Sequence, residues 1–421
     1  METPTTATVT KRLILHVGYS KCGSTTIQDT LTANYSRLQE NKVLFPKILS
    51  ESPSWLRFFW EKNLPALYHE EWVASTFRKF SKALREELES SDCETVILSD
   101  EGLISVSEET VIDFKRYLEQ ELPGFEIHIV VIVREPISFF TSRCQQFISD
   151  RYFDMTAIHQ FLGGKNITNG WSRADNLAMN PTSLYSNPIG LYDQKFSHVH
   201  VLEFEEMISD DCGLTHAFLR ACGLNIQLTD IRRNESRSSC SVELIAYINE
   251  IYPFTSKTQK NTPLTRYWND MCDFHSISGE KFKLPLAVCR ELRNKTADEV
   301  EWLRLRSGIN YCDVQLRTND EPTVWTESFY EDIIRIYPGQ ELPVQLAILS
   351  FIREKIKSVD PSSRAILKRL QGWIRIHYLW RSLIRRPMFK YVFFAERKWR
   401  KPQKKWLKIQ KKWLKMRRKV V

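Results

Sequence analysis

Residues 13–27 read LILHVGYSKCGSTTI, and this stretch decides the fold class. Its first five residues, LILHV, are apolar except for His16 and predict a strand buried on both faces. Gly18 and Gly23 allow a tight turn, and helical sequence begins at Ile27. A strand, a turn and a helix start form a cradle for an anion, because the free N–H groups of the first helical turn point at it. Lys21 adds a full positive charge. The alternative is a turn with a purely structural role.

Further apolar runs at residues 95–98, 127–133 and 199–202 also predict buried strands. Amphipathic helical stretches, such as 75–88 and 108–122, lie between them. Alternation of buried strands with helices predicts an α/β fold with a doubly wound parallel sheet. Helical additions and a basic helical C-terminal tail complete the expected architecture.

Changes in composition and the positions of prolines divide the chain of 421 residues into four parts. We expect a disordered N-terminus at 1–10, a nucleotide-binding domain at 11–255, a mainly helical extension at 256–360 and a tail at 361–421. The N-terminus has no apolar region of a secretory signal, and no run is long and apolar enough to span a bilayer. The expected location is therefore the cytoplasm.

The cysteine pattern agrees with that location. Nine cysteines are present, without a C-x-x-C pair or the spacing of a zinc finger. We expect reduced, packed thiols and no metal.

The tail differs electrostatically from the rest of the chain. Residues 364–421 hold 21 lysines and arginines against one acid, Glu396, so the remainder carries a net negative charge. Trp399, Trp406 and Trp413 are seven residues apart and would share one helix face. A basic amphipathic helix with interfacial tryptophans suits an anionic membrane surface, at the inner face of the membrane. A solvated or disordered charged tail and a partner helix remain alternatives, whereas nucleic acid is not favoured because phosphate contact needs no apolar stripe.

The loop is not a Walker A sequence. In that motif the lysine follows the second glycine and precedes Ser or Thr, whereas Lys21 here precedes Gly23. The hydroxyl that would bind Mg²⁺ beside the usual lysine is therefore missing, and a metal-free phosphate donor fits better than ATP with magnesium.

A second element lies at the end of the strand at 127–133. Arg134 follows this strand, Pro136 suits the first turn of a helix, and Ser142 lies about two turns into that helix. Ligands of open α/β sheets bind at the carboxyl ends of strands, so Arg134 and Ser142 are placed to hold an anion. The alternative is an arginine that caps a neighbouring helix and a solvated serine.

These two elements together resemble the PAPS-dependent sulfotransferases (PAPS is 3′-phosphoadenosine 5′-phosphosulfate). HVGYSKCGSTTIQ at 16–28 is similar to the 5′-phosphosulfate loop of that family, and Arg134-Glu135-Pro136 with Ser142 is similar to its 3′-phosphate motif. A looser likeness extends over roughly residues 12–250, and 35–46 resembles the prokaryotic, carbohydrate-type branch. Cys22 departs from the family, which usually has Thr or Ser there.

The resemblance implies a role for each matched residue. Lys21 would contact the bridging and sulfonate oxygens, and the 3′-phosphate would be held by Arg134 and Ser142. Arg233, or its neighbour Arg232, would close over the nucleotide, unless both are ordinary surface arginines. The backbone N–H groups that would hold the 5′-phosphate belong to Gly23, Ser24, Thr25 and Thr26.

Sulfuryl transfer also needs a base for the acceptor, commonly Glu or His in this family. Glu101 is the candidate because it follows the strand at 95–98; alternatively it caps a helix start. His16 is expected to pack or hydrogen-bond beside the loop, and His128 to lie in the core.

The function expected from the sequence is sulfuryl transfer from PAPS to a hydroxyl or amine of a saccharide or glycolipid. A non-catalytic membrane- or polyanion-binding protein on a degenerate P-loop scaffold is the alternative. A nucleotide kinase is disfavoured by the position of the lysine and by the lack of a clear magnesium-binding Asp after an apolar strand.

Overall fold

The computed structural model describes residues 11–48, 70–149, 180–231, 236–251, 271–315, 323–340 and 342–384. The chain divides into two compact units, Met1–Thr323 and Val324–Val421. The predicted boundaries after residues 255 and 360 stay predictions. In the described part of the chain no helix combines the length and apolar character of a membrane span.

Five parallel strands form the sheet of the first unit, in the order β2-β3-β1-β4-β5. The core of the sheet consists of the middle strands, whose aliphatic side chains are almost entirely buried. This arrangement confirms the α/β fold with a doubly wound parallel sheet. The strands are β1 (Lys11–His16), β2 (Val43–Leu44), β3 (Thr95–Ser99), β4 (Phe125–Val133) and β5 (His198–Glu203).

Helices connect these strands, because parallel neighbours require crossovers. They are α1 (Ser24–Ala33), α2 (Tyr35–Glu40), α3 (Glu70–Glu89), α4 (Glu108–Glu121), α5 (Pro136–Ser149) and α6 (Ser186–Lys195), with 3₁₀ helices at Glu101–Ser105 and Pro181–Ser183. The path after β1 leads to β2 at one edge, and the path after β4 leads to β5 at the other. The connections therefore diverge between β1 and β4, which is where such sheets have a ligand-binding crevice.

The described residues of the first unit that follow β5 are mainly helical. It contains α7 (Phe204–Ile208), α8 (Leu214–Ala221), α9 (Ser239–Ile251), a 3₁₀ helix (Met271–Ser276) and α10 (Leu286–Ser307). The buried Glu299 of α10 accepts from the backbone N–H groups of Tyr185 at 2.6 Å and Ser186 at 2.8 Å. This carboxylate satisfies N–H groups at the start of α6 and holds that helix against α10.

The described residues of the second unit, up to Ile384, form the α-helices α11 (Glu327–Ile336), α12 (Leu342–Ser358) and α13 (Pro361–Ile384). Its core includes the fully buried Trp325, which meets the ring of Phe329 edge-on at 4.7 Å. Leu367 and Ile374 of α13 are also fully buried, so this part of the basic segment is packed. The three periodic tryptophans lie outside the described residues.

Candidate functional site

The loop between β1 and α1 contains two left-handed residues, Lys21 (φ 70°) and Gly23 (φ 85°). Glycine tolerates this conformation, and a Cβ at Gly23 would lie 2.3 Å from Leu214 Cδ2, so a side chain fits only if Leu214 moves. Lys21 has a Cβ, so its left-handed backbone costs roughly 1–2 kcal/mol. Such a conformation persists only where the surroundings hold it in place, and it occurs often at functional sites.

The N-terminus of α1 is free of side-chain caps. Gly23 is its N-cap residue and offers no side-chain acceptor, and no acidic residue lies in the first turn. Ser24 Oγ is buried and has no hydrogen-bond partner among the described residues. Thr25 is exposed and Thr26 is buried. Free N–H groups at a helix start, with the positive end of the helix dipole, favour a bound anion.

Arg134 reaches the same loop from the end of β4. Its Nη1 donates to the carbonyl oxygen of Lys21 at 2.8 Å. The guanidinium lies over the ring of Phe204, 4.7 Å from its centroid, and its Nε is 3.7 Å from Glu205 Oε1. The structure therefore brings Lys21 and Arg134 together, and one of the arginine's N–H groups secures the backbone of the left-handed lysine.

The residues after Arg134 explain how it is positioned. The buried Glu135 accepts from the backbone N–H groups of Ile137 at 3.0 Å and Ser138 at 2.6 Å, and Pro136 begins α5. An N-cap carboxylate followed by proline fixes the helix start directly after the strand. Arg134 is therefore held at the carboxyl end of β4.

Helix α5 supplies a residue that the sequence analysis missed. Ser142 is half-buried, and its role at the 3′-phosphate stays a prediction, whereas the next residue, Arg143, contacts the loop. The buried Arg143 donates from Nη1 to Ser20 Oγ at 2.7 Å. An arginine within the apolar stretch of α5 could have indicated this contact, because a buried arginine usually has a specific partner.

A second group of missed residues comes from distant segments. Arg237 donates from its backbone N–H to Gln145 Oε1 and from Nη1 to the Gln145 carbonyl oxygen, at 3.2 and 2.9 Å. Its Nη2 lies 3.4 Å from His275 Nδ1. Burial, followed by the charges of Arg237 and Lys21, lowers the pKa of His275 to about 4. The charge of Lys21 thus acts on the imidazole that Arg237 contacts, whereas the predicted Arg233 lies outside the described residues.

The predicted base, Glu101, begins the 3₁₀ helix after β3 and is exposed. The cap of this helix is its neighbour Asp100, whose Oδ1 accepts from the Gly102 N–H at 2.7 Å. Asp100 directly follows strand β3, and the structure shows its carboxylate as a helix cap. The expectation that no clear magnesium-binding aspartate follows an apolar strand stays a prediction.

Two residues beside the loop face the interior. Cys22 is fully buried, and burial raises the pKa of its thiol, so it is not a nucleophilic thiolate. Nearby charges that also act on this thiol include those of Arg134 and Glu101, which places both within electrostatic range of the loop.

His16 donates to or accepts from Ser99 Oγ through Nδ1 at 2.8 Å, which confirms its expected packing beside the loop. His128, expected in the core, is only half-buried.

No protein-family model matches this chain. No curated protein matches it either. Among solved structures, the chain is similar to the crystal structure of a sulfotransferase from Alicyclobacillus acidocaldarius, with 14% sequence identity and a TM-score of 0.28. The match covers 53% of this chain and 87% of the other. A structural similarity this weak does not support a statement about function.

Proposed function

We propose that this chain transfers a sulfuryl group from PAPS to an acceptor hydroxyl or amine. The observation that supports this most is the hydrogen bond from Arg134 to the backbone of Lys21, at the uncapped start of α1. The Arg134 guanidinium, the backbone of Lys21 and a helix N-terminus meet where the connections of β1 and β4 diverge. This arrangement suits a nucleotide with two separate phosphate groups.

The donor would be held at both of those groups. The N–H groups of residues 23–26 would bind the 5′-phosphate, and Arg134 with Ser142 the 3′-phosphate. Arg134 uses one N–H on the Lys21 carbonyl, but a guanidinium has five, so the loop contact leaves donors for a phosphate. Arg143 and Arg237 add positive charge around the loop.

The chemical step is an in-line displacement at sulfur. The acceptor oxygen or nitrogen forms a bond to sulfur while the bond from sulfur to the bridging phosphate oxygen breaks, and adenosine 3′,5′-bisphosphate leaves. Lys21 offsets the negative charge that grows on the leaving oxygen. The acceptor proton passes to a base, for which Glu101 is the candidate because it is exposed beside the loop.

The test is ligand-dependent thermal stabilisation followed by turnover. Adenosine 3′,5′-bisphosphate should raise the melting temperature without magnesium, because a ligand that binds only the folded state stabilises it. Lys21→Ala should abolish sulfuryl transfer while the fold is retained. Lys42→Ala is a matched control, since Lys42 is the other left-handed lysine of the described chain (φ 56°) and is ion-paired with Glu94 away from the loop. Normal transfer by the Lys21 variant would refute the assignment.

Asp100 gives a second candidate, phosphoryl transfer from a magnesium nucleotide. Asp100 lies at the carboxyl end of β3, the side on which open α/β sheets bind ligands, and a carboxylate is a common magnesium ligand. Stabilisation by ATP with magnesium but not by adenosine 3′,5′-bisphosphate would favour this kinase. Binding of the bisphosphate without any turnover would favour the non-catalytic alternative.

The acceptor class and the membrane contact belong to the same proposal. A saccharide or glycolipid is proposed as acceptor from the resemblance to the carbohydrate-type branch. The basic segment after α13 would bring the enzyme to anionic lipid, and co-sedimentation with anionic vesicles tests this. The truncation should begin at residue 385, because Leu367 and Ile374 of α13 belong to a packed core. Equal co-sedimentation of the full and shortened chains would refute the membrane contact.

A further inference from the structure

Four titratable residues share one face of the sheet near the amino-terminal ends of β4 and β5. Glu126 and His128 alternate along β4, and His198 and His200 alternate along β5, so each pair projects to one side of its strand. The parallel register places His128 beside His198. None of these residues belongs to the donor site, since His128 precedes the last residue of β4 by five positions, roughly 16 Å at about 3.3 Å per residue.

The side-chain atoms of this cluster have the spacing of metal ligands. Glu126 Oε2 lies 3.2 Å from His128 Nε2, and Glu126 Oε1 lies 2.7 Å from His198 Nε2. All three ligand groups lie within 4.8 Å of one another. In a tetrahedral zinc site with bonds of about 2.0–2.1 Å, neighbouring ligand atoms are about 3.3 Å apart. Small side-chain rotations would therefore produce that geometry.

A second observation points to a ligand at His128. Its Nε2 is buried and faces the carboxylate oxygen of Glu126 at 3.2 Å. Two lone pairs that face each other repel, so either a proton or a cation must lie between this nitrogen and the carboxylate. A cation bound between the imidazole and the carboxylate would satisfy both groups.

The opposite nitrogen of the same ring has the partner that a metal-bound histidine requires. His128 Nδ1 lies 3.1 Å from His200 Nε2. With a metal on Nε2, Nδ1 carries the proton and donates it to His200, and this outer contact fixes the tautomer and the ring orientation. The two rings are nearly parallel, with 8° between their planes, so the contact is already formed.

We propose that Glu126, His128 and His198 bind a divalent transition-metal ion of the zinc class, with His200 as the outer partner of His128. Imidazole and carboxylate ligands suit such an ion, and water would complete its coordination. The ion would join the edge strand β5 to β4 and act on stability rather than on the transfer reaction. Sequence spacing did not reveal the site because its histidines lie on two strands, with His128 and His200 72 positions apart.

The experiment is calorimetric titration of the full chain, stripped with a chelator, using Zn²⁺ alone. One equivalent should bind and raise the melting temperature. A His128→Gln/His198→Gln double variant should lose binding, and His200→Phe should weaken it about 10- to 100-fold, as loss of an outer partner does. Circular dichroism of each variant shows whether it is folded, and Glu126→Gln provides a milder change if the double variant is not.

A matched control is available in a second cluster, formed by Asp210, Cys212 and His216. There Arg220 is ion-paired with Asp210 and occupies the carboxylate. His216→Gln should therefore leave zinc affinity unchanged. Absence of stoichiometric binding, binding that survives in the folded Glu126→Gln and double variants, or binding that disappears in the His216 variant would each overturn the proposal.

Discussion

Substitution of Gly23 by alanine tests how the phosphate loop is built. Two separate features of the structure oppose a side chain there. The backbone is left-handed, with φ of 85°, and the new Cβ would lie 2.3 Å from Leu214 Cδ2 and 3.2 Å from Phe204 Cε2. The first feature strains any residue with a Cβ, and the second requires Leu214 to move.

The magnitudes of these two effects can be separated. The left-handed backbone costs an alanine roughly 1–2 kcal/mol. Overpacking of a buried contact adds about 1–3 kcal/mol. Gly124→Ala is the matched control, because Gly124 has φ of 80° and a Cβ added there would meet no atom of the described residues within 4 Å. Its expected cost is the backbone contribution alone.

Urea unfolding of the variants measures the free energy of unfolding. Gly23→Ala should lower it by about 2–5 kcal/mol, and by about 1–3 kcal/mol more than Gly124→Ala does. In a double-mutant cycle with Leu214→Ala, the pair should be less destabilised than the sum of the single changes, because the shortened side chain removes the clash. Equal costs for the two glycines, together with an additive cycle, would refute the reasoning.

Three further predictions concern groups around the site. Ser20→Ala removes one acceptor of the buried Arg143, which also donates to Gln146 Oε1, and should destabilise the fold by about 0.5–1.5 kcal/mol in urea unfolding, whereas Ser20→Thr, which keeps the hydroxyl, should not. Glu135→Ala removes the cap of α5 and should cost about 0.5–2 kcal/mol in the same assay; an unchanged value would contradict the capping role. Burial lowers the pKa of His16 to about 4 from 6.5, so the unfolded state takes up its proton first and stability should fall as the pH drops from 6.5 towards 4. His16→Asn should flatten that part of the stability profile, and an unaltered slope would show that other groups cause it.

Much of the sheet could be predicted because its strands are continuous apolar runs. The expected strands at 95–98 and 127–133 correspond to β3 (Thr95–Ser99) and β4 (Phe125–Val133). Strand β2, with two residues, is too short to produce any period. Local sequence pattern therefore identified the strands that carry the site and missed the short edge strand.

The site itself could be predicted only where its residues are local. The loop at Lys21 and the strand end at Arg134 are visible in the sequence because each has a glycine or proline at a defined position. Arg237 and His275 could not be predicted, since their contact depends on how the segment before α9 packs against the 3₁₀ helix. His128 was expected in the core because it lies within an apolar strand. The sequence does not show that the neighbouring strand is β5, which carries two further histidines.

The contact between Arg134 and Lys21 makes the two positions unequal in mutagenesis. Arg134 donates to a backbone carbonyl, which every residue at position 21 possesses. Lys21→Ala therefore removes the ammonium and leaves the anchor intact, so it reports on what the lysine side chain contributes. Replacement of Arg134 by a residue without a comparable donor removes a charge and also the hydrogen bond to the Lys21 carbonyl oxygen. The loss of activity in an Arg134 variant therefore includes the effect of a displaced Lys21.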